Sequence, residues 1–303
     1  MKGRRAYAVV SLVIAALLAV VGCATNKEST GSQPSASATG AADPNAVQKD
    51  DALAAQVPDA IKADGKLVVG TDPTYEPSEF KDSSGKIIGF DVDLGVAIAR
   101  KLGLTAEFKE SKFDNIIPSI GTKYELGMSS FTDSKEREKS VDFVTYFSAG
   151  TAWAAKDASL DPNNACGKKV AVQTGTVQET EDLPAKNKKC ADAGKPKITV
   201  LRYDAQDEAT NAVVLGRADA VLADLPVIVA AVTKTNGALQ RVGENYDAAP
   251  YGIALSKNSG TLKDAVLGAV KALIAEGTYK AVLERWKVAD GAIPNPGVNG
   301  ATS

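Results

Sequence analysis

Apolar residues fall into three regimes along the chain. From Ala6 to Val21 they form a nearly unbroken run, and from residue 24 to about 55 they thin out among Ser, Thr, Ala, Gly, Asn and Gln, with Pro34 and Pro44. From about Lys62 to Trp286 short apolar runs of strand length alternate with stretches repeating every three or four residues, the periods of strands and helices. Lys66-Leu67-Val68-Val69-Gly70 predicts a strand, Lys81 to Lys86 a hairpin turn, and Ile87-Ile88-Gly89-Phe90 the return strand. Asp91 or Asp93 is expected to cap a helix running through Leu102, ended by Gly103. Phe108 falls on a further strand. Asp114 is expected to cap a short helix with Ile116, Ile117 and Ile120 on one face, and Ser134 the turn after Met128. Lys169 to Gln173, Lys197 to Tyr203 and Ala218 to Ala223 read as strands, with a helix from Asp207 to Leu215. Tyr251 to Leu255 reads as another strand. Thr261 then opens a helix carrying Leu262, Val266, Val270, Leu273 and Ile274, and Tyr279 to Trp286 adds a last amphipathic stretch. From 291 to 303 the Pro, Gly and Asn content predicts a loose tail. Strands alternating with helices place the body in the α/β class.

The first apolar run sets the compartment. Lys2, Arg4 and Arg5 precede it, Val20-Val21-Gly22-Cys23 ends it, and it is shorter than the roughly 20 residues of a comfortable membrane span. Residues 1–22 read as a lipoprotein signal peptide, with Cys23 acylated and palmitate among the expected lipids. An ordinary secretory signal with an incidental cysteine is the other reading. Acylation would anchor the chain to the cell membrane on its extracytoplasmic face. Residues 23–55 read as a disordered tether, because that composition buries too little apolar surface to offset ordering entropy. Loss of residues 1–22 leaves 32 basic against 37 acidic residues, a net charge of −5. No basic run is interleaved with aromatics, so nucleic acid is not an expected partner. The chain has no histidine, which removes imidazole bases and His-based metal sites. Cys166 and Cys190 most simply form one disulfide in an exported chain, and no metal or cofactor is expected.

The candidate chemistry is that of binding. Ser129, Ser130 and Thr132 precede a lone Arg137, whose planar fork matches a carboxylate bidentately. A polar loop whose arginine faces solvent or pairs with Glu136 or Glu138 is the plainer alternative. Asp72 to Tyr75 follow the first strand, where ligands collect in α/β sheets, although both can be plain turn residues. Phe113 is either a helix staple or a ligand wall. Thr174-Gly175-Thr176, leading into Val177, puts backbone N–H groups at a helix start, an anion site. The lysine of a P-loop is missing there, which argues against nucleotides. Asp224 ends a strand and can cap the next helix or accept from a ligand ammonium.

Four segments carry a resemblance: Gly70 to Tyr75, Gly89 to Leu94, Phe113 to Pro118, and Ser129 to Arg137 with Val141-Asp142-Phe143. In this order and spacing the chain resembles the polar amino acid-binding family of solute receptors for ABC importers, family 3, through to Trp286. The resemblance implies a two-lobe periplasmic binding protein-like type II fold with two hinge crossings, near Ser148 to Trp153 and Asn245 to Tyr251. Lobe 1 would be 60–149 with 250–290, and lobe 2 152–246. It implies an amino acid ligand and an ABC permease as partners, a monomer, and no catalysis. By motif, Arg137 would hold the ligand α-carboxylate with Ser130 and Thr132, Asp224 would take the ammonium, and Thr176 and Val177 would add backbone donors. Asp72, Tyr75 and Phe113 would line the side-chain pocket, Asp72 as in lysine/arginine/ornithine-binding members. Ser78 stands where the family commonly has an aromatic, which implies a larger or wetter pocket. The fold also hosts a prephenate or arogenate dehydratase, and a ligand-sensing receptor is a further reading.

Overall fold

The structure, a computed structural model, describes residues 43–302. The expected signal peptide, Cys23 and the tether up to residue 42 lie outside the described residues. In chain order the helices are α1 (Asp51–Ala55), α2 (Asp59–Asp64), α3 (Phe90–Lys101), α4 (Phe113–Ser119), α5 (Lys135–Glu138), α6 (Leu183–Asp192), α7 (Gln206–Val214), α8 (Leu225–Lys234), α9 (Leu262–Ala275) and α10 (Thr278–Arg285). A small sheet holds β2 (Thr74–Tyr75), β3 (Glu79–Lys81) and β4 (Ile87–Ile88). The large sheet holds β1 (Lys66–Thr71), β5 (Thr105–Glu110), β6 (Leu126–Gly127), β7 (Val141–Ala155), β8 (Lys169–Gln173), β9 (Thr199–Tyr203), β10 (Ala220–Asp224) and β11 (Gln240–Ser256), in the order β5-β1-β6-β11-β7-β10-β8-β9.

Two long strands unite this sheet. Near Val141 to Phe147, β7 pairs antiparallel with Tyr251 to Ser256 of β11, beside β6 and the parallel pair β1 and β5. Further along, Thr151 to Ala155 of β7 pairs with β10, which leads to the parallel β8 and β9. Between these stretches the β7–β11 register shifts around Tyr246, Ala249 and Tyr251, and a shifted register interrupts the ladder and bends it. The sheet therefore has two halves joined by two irregular strand passages. The expected crossings, Ser148 to Trp153 and Asn245 to Tyr251, overlap these passages, although Thr151 to Trp153 already pairs with β10.

Each half buries its own apolar core. In the first, α3, α9 and α10 pack Phe90, Leu94, Ile98, Val266, Val270 and Leu283 against Leu67, Val69 and Ile253. In the second, α7 and α8 cover one face with Ala209, Val213 and Ile228, and Leu183, Cys190 and Trp153 fill the other. The Cys166–Cys190 disulfide lies in that second core, with a Cα–Cα distance of 5.7 Å.

Four local expectations need correction. Pro44–Ala46 forms a 3-10 turn and α1 follows it, with the Asp50 amide donating to the Lys101 carbonyl at 2.9 Å and Leu53 packing on the first core, so the part of the expected tether from residue 43 is folded. Its Asp43 and Asp50 act as caps, which composition does not reveal. Asp91 is no cap: Gly89 precedes α3, and its φ of 139° with a notional Cβ only 2.0 Å from the Ser78 carbonyl explains why that position carries no side chain. Phe113 is the first residue of α4, so Asp114 lies inside the helix. Finally, the expected loose tail lies beside β7, where Val298 bridges Val144.

Candidate functional site

Arg137 sits in α5, opened by Ser134, whose Oγ accepts the Arg137 amide at 3.4 Å. Its guanidinium donates to the Thr132 carbonyl at 2.9 Å and to the Gly175 carbonyl of the other half at 3.0 Å. It lies 5.5 Å from the centre of the Phe113 ring and 5.6 Å from that of Phe131, two rings stacked at 4.6 Å. Aromatic faces attract a guanidinium and fix its plane. Burial lowers the Arg137 pKa to about 10, which leaves it cationic at neutral pH. Glu136 and Glu138 pair with Lys139 and Lys135 instead, so the plainer reading of this arginine does not hold.

The turn before it is held from below. Ser130 has φ of 50°, a left-handed conformation unusual for serine, and its amide donates to Asp91 Oδ2 at 2.8 Å. The Tyr146 hydroxyl donates to the same carboxylate at 2.8 Å. Such a conformation persists only where the surroundings over-determine it, and the buried Asp91 supplies that constraint.

Asp224 closes the opposite side. It ends β10 and precedes α8, yet its carboxylate does not cap that helix. The carboxylate accepts the Tyr251 hydroxyl at 2.7 Å, the Tyr75 hydroxyl at 2.9 Å and the Gln178 amide at 2.7 Å. Burial raises its pKa while the three donors oppose the rise. Arg137 and Asp224 face one small cavity, whose walls are Tyr75, Phe113, Ser130 and Thr132 from the first half and Thr176, Val177 and Gln178 from the second. Its volume is about 10 Å³, room for roughly one water. A larger solute does not fit the cavity as it stands.

Residues 67–289 match the family described as bacterial extracellular solute-binding proteins, family 3. The chain belongs to this family. Among the relatives of this family 3 protein, the arginine-binding protein ArgT of Corynebacterium glutamicum is 37% identical over 301 residues, 98% of this chain and 96% of that one. The L-cystine-binding protein TcyJ of Escherichia coli K12 is 32% identical, over 76% of this chain and 85% of its own. Among solved structures, an ancestral arginine-binding protein bound to arginine superposes with a TM-score of 0.67 at 38% identity, over 73% of this chain and 98% of that chain. The two sheet halves are thus the lobes of a type II periplasmic binding protein fold, and the role of the chain is solute binding.

Eight of the expected site residues meet in the cavity of this family 3 protein, and Asp72 does not line it. Its carboxylate accepts the Phe113 amide at 2.9 Å, the Thr74 hydroxyl at 2.8 Å and the Gln173 amide at 3.0 Å. Burial lifts its pKa to about 6. Gln173, 1% exposed, keeps its Oε1 buried without a partner among the described residues, a costly arrangement unless something donates to it. Ser78 is fully buried and lines no part of the cavity. Sequence reasoning missed Gln173, Gln178, Tyr251, Phe131 and the supporting role of Asp91. Gln178 directly follows Val177 and was within reach of the helix-start argument. Tyr251 carries no local signal, because it meets Asp224 only through the pairing of distant strands.

Proposed function

We propose that this chain captures a polar amino acid between its lobes and hands it to an ABC importer, tethered to the outer face of the cell membrane by lipid on Cys23. The observation that carries this reading is the placement of one cation and one anion, Arg137 and Asp224, on opposite sides of a single cavity. A free amino acid has the matching pair of charges on one carbon. With the lobes at about 60–149 plus 250–290 and 152–246, the β7 and β11 passages act as hinges. The α-carboxylate docks first on Arg137, with Ser130 and Thr132 beside it. The second lobe then closes, bringing Asp224 to the ammonium and the Thr176–Val177 backbone to the carboxylate. Because the ligand touches both lobes, its differential affinity stabilises the closed form.

Closure exchanges bonds and does not simply add them. The ammonium competes with three donors already on Asp224, and the carboxylate competes with the Thr132 and Gly175 carbonyls for Arg137. A micromolar dissociation constant needs about 8 kcal/mol, and two charge-assisted ends shielded from water are of that order. The arginine-binding relatives favour a basic side chain. Calorimetric titration against the twenty amino acids plus ornithine and citrulline tests the reading. One tight stoichiometric ligand is expected, and silence across the panel would refute it. One structural neighbour is described as a precursor of cyclohexadienyl dehydratase, so turnover of prephenate would favour an enzyme instead. Mass spectrometry of the membrane-extracted protein, with a lipid mass on Cys23, tests the anchor.

A further inference from the structure

Residues 292–302 follow the part of the chain that matches the family, and they bond to the lobe that carries Arg137. Beside β7, the Thr145 amide donates to the Gly297 carbonyl at 2.9 Å, and the Gly297 amide to Thr145 Oγ1 at 2.9 Å. Asn299 Oδ1 accepts the Phe143 amide at 2.9 Å, the Asn299 amide donates to the Phe143 carbonyl at 3.0 Å, and Asn299 Nδ2 to Asp142 at 3.1 Å. The segment then reaches the Arg137 turn. The Gly300 amide donates to Asp133 Oδ2 at 2.6 Å, and the Ala301 amide to Glu138 Oε1 at 3.2 Å. Asp133 and Glu138 bracket Arg137, and Asp133 is 2% exposed.

We propose that residues 292–302 form a strap that positions Arg137 for the ligand carboxylate. The strap acts on both ends of the turn. Asp133 ties the start of the turn to the Gly300 amide and Glu138 ties its end to the Ala301 amide, with Lys135 also pairing with Glu138 at 3.0 Å. Without the strap the turn loses a bond at each end, and the guanidinium leaves the place fixed by Thr132, Phe113 and Phe131. A bidentate partner tolerates little displacement, so the loss is read in affinity. Asp133 and Glu138 are positioning residues in this arrangement, and neither lines the cavity.

The inference rests on Arg137 binding the ligand, and the test separates the two claims. Calorimetry is run on the full chain, on a chain ending at Pro296, and on Arg137→Ala, with the amino acid that the full chain binds tightest, at a temperature well below each melting midpoint. The shortened chain should bind about tenfold weaker, while Asp133→Asn, which keeps the oxygen that accepts the Gly300 amide, should stay within about twofold. Asp133→Ala, which removes the acceptor, should match the shortened chain, and this pair decides the matter if the shortened chain fails to fold. Unchanged affinity in the shortened chain or in Asp133→Ala, with a lowered melting midpoint alone, would show a merely structural role and overturn the strap. Unchanged affinity in Arg137→Ala would instead refute the carboxylate clamp itself.

Discussion

The two charged ends of the cavity are built differently. Arg137 stands in a four-residue helix, after a turn containing a left-handed serine, and its place depends on Asp91 below, on aromatic rings beside it and on main-chain carbonyls from both lobes. Asp224 stands at the end of β10, a strand inside the sheet, paired there with Thr151 of β7 and with three side-chain donors on its carboxylate. The loop end needs buttresses and the strand end does not. A ligand held as proposed would meet one partner whose position depends on its surroundings and another whose position is set by the fold.

The comparison can be broken at either end. Arg137→Ala leaves the ligand carboxylate buried and unpaired, and should cost about 2–5 kcal/mol of binding by calorimetry. Asp224→Asn keeps the shape and removes the charge, so the ammonium loses its counter-ion while the tyrosine hydroxyls keep an acceptor. The expected cost is about 2 kcal/mol, smaller than at Arg137 because the strand holds the position. Tyr251→Phe removes one donor from Asp224 and should lower ligand-free thermal stability by about 1 kcal/mol, with affinity unchanged or tighter because one competitor is gone.

The smallest expected effect is that of pH. Asp72 has a folded pKa of about 6, raised by burial from an ordinary value of 3.8, so the folded chain holds an extra proton between those values. Stability from this group is therefore largest below about pH 4 and is lost as pH rises through about 6. Asp72 does not line the cavity, so ligand affinity should change by less than about twofold from pH 5 to pH 7. Titration at both pH values checks this, and affinity that rises about tenfold with pH would instead place Asp72 against a basic ligand side chain.

Much of the fold was legible because it is local. The strand at Lys66, the cap at Ser134 and the helix after Thr261 follow from short-range chemistry, and motif order joined them into lobes. What escaped depends on distant pairing. Asp91 resembles a helix cap in sequence, yet it bonds to Ser130 and Tyr146, 39 and 55 positions away. Residues 292–302 resemble a loose tail because of their Pro, Gly and Asn content, but hydrogen bonds to β7 and the Arg137 turn hold them, which composition does not register. Asp72 was placed in the side-chain pocket by motif, and the structure turns its carboxylate to the Phe113 amide and Gln173.

The central claim is that the cavity reads a zwitterion through Arg137 and Asp224. The most direct test compares the tightest-binding amino acid with the amine that lacks its α-carboxylate and is otherwise identical, titrated into the same preparation of the full chain. The expected result is binding weaker by at least about thirtyfold, the lower bound of losing a desolvated charge pair. Equal affinity for the two would contradict the claim, because a ligand recognised without its carboxylate gives Arg137 nothing to hold.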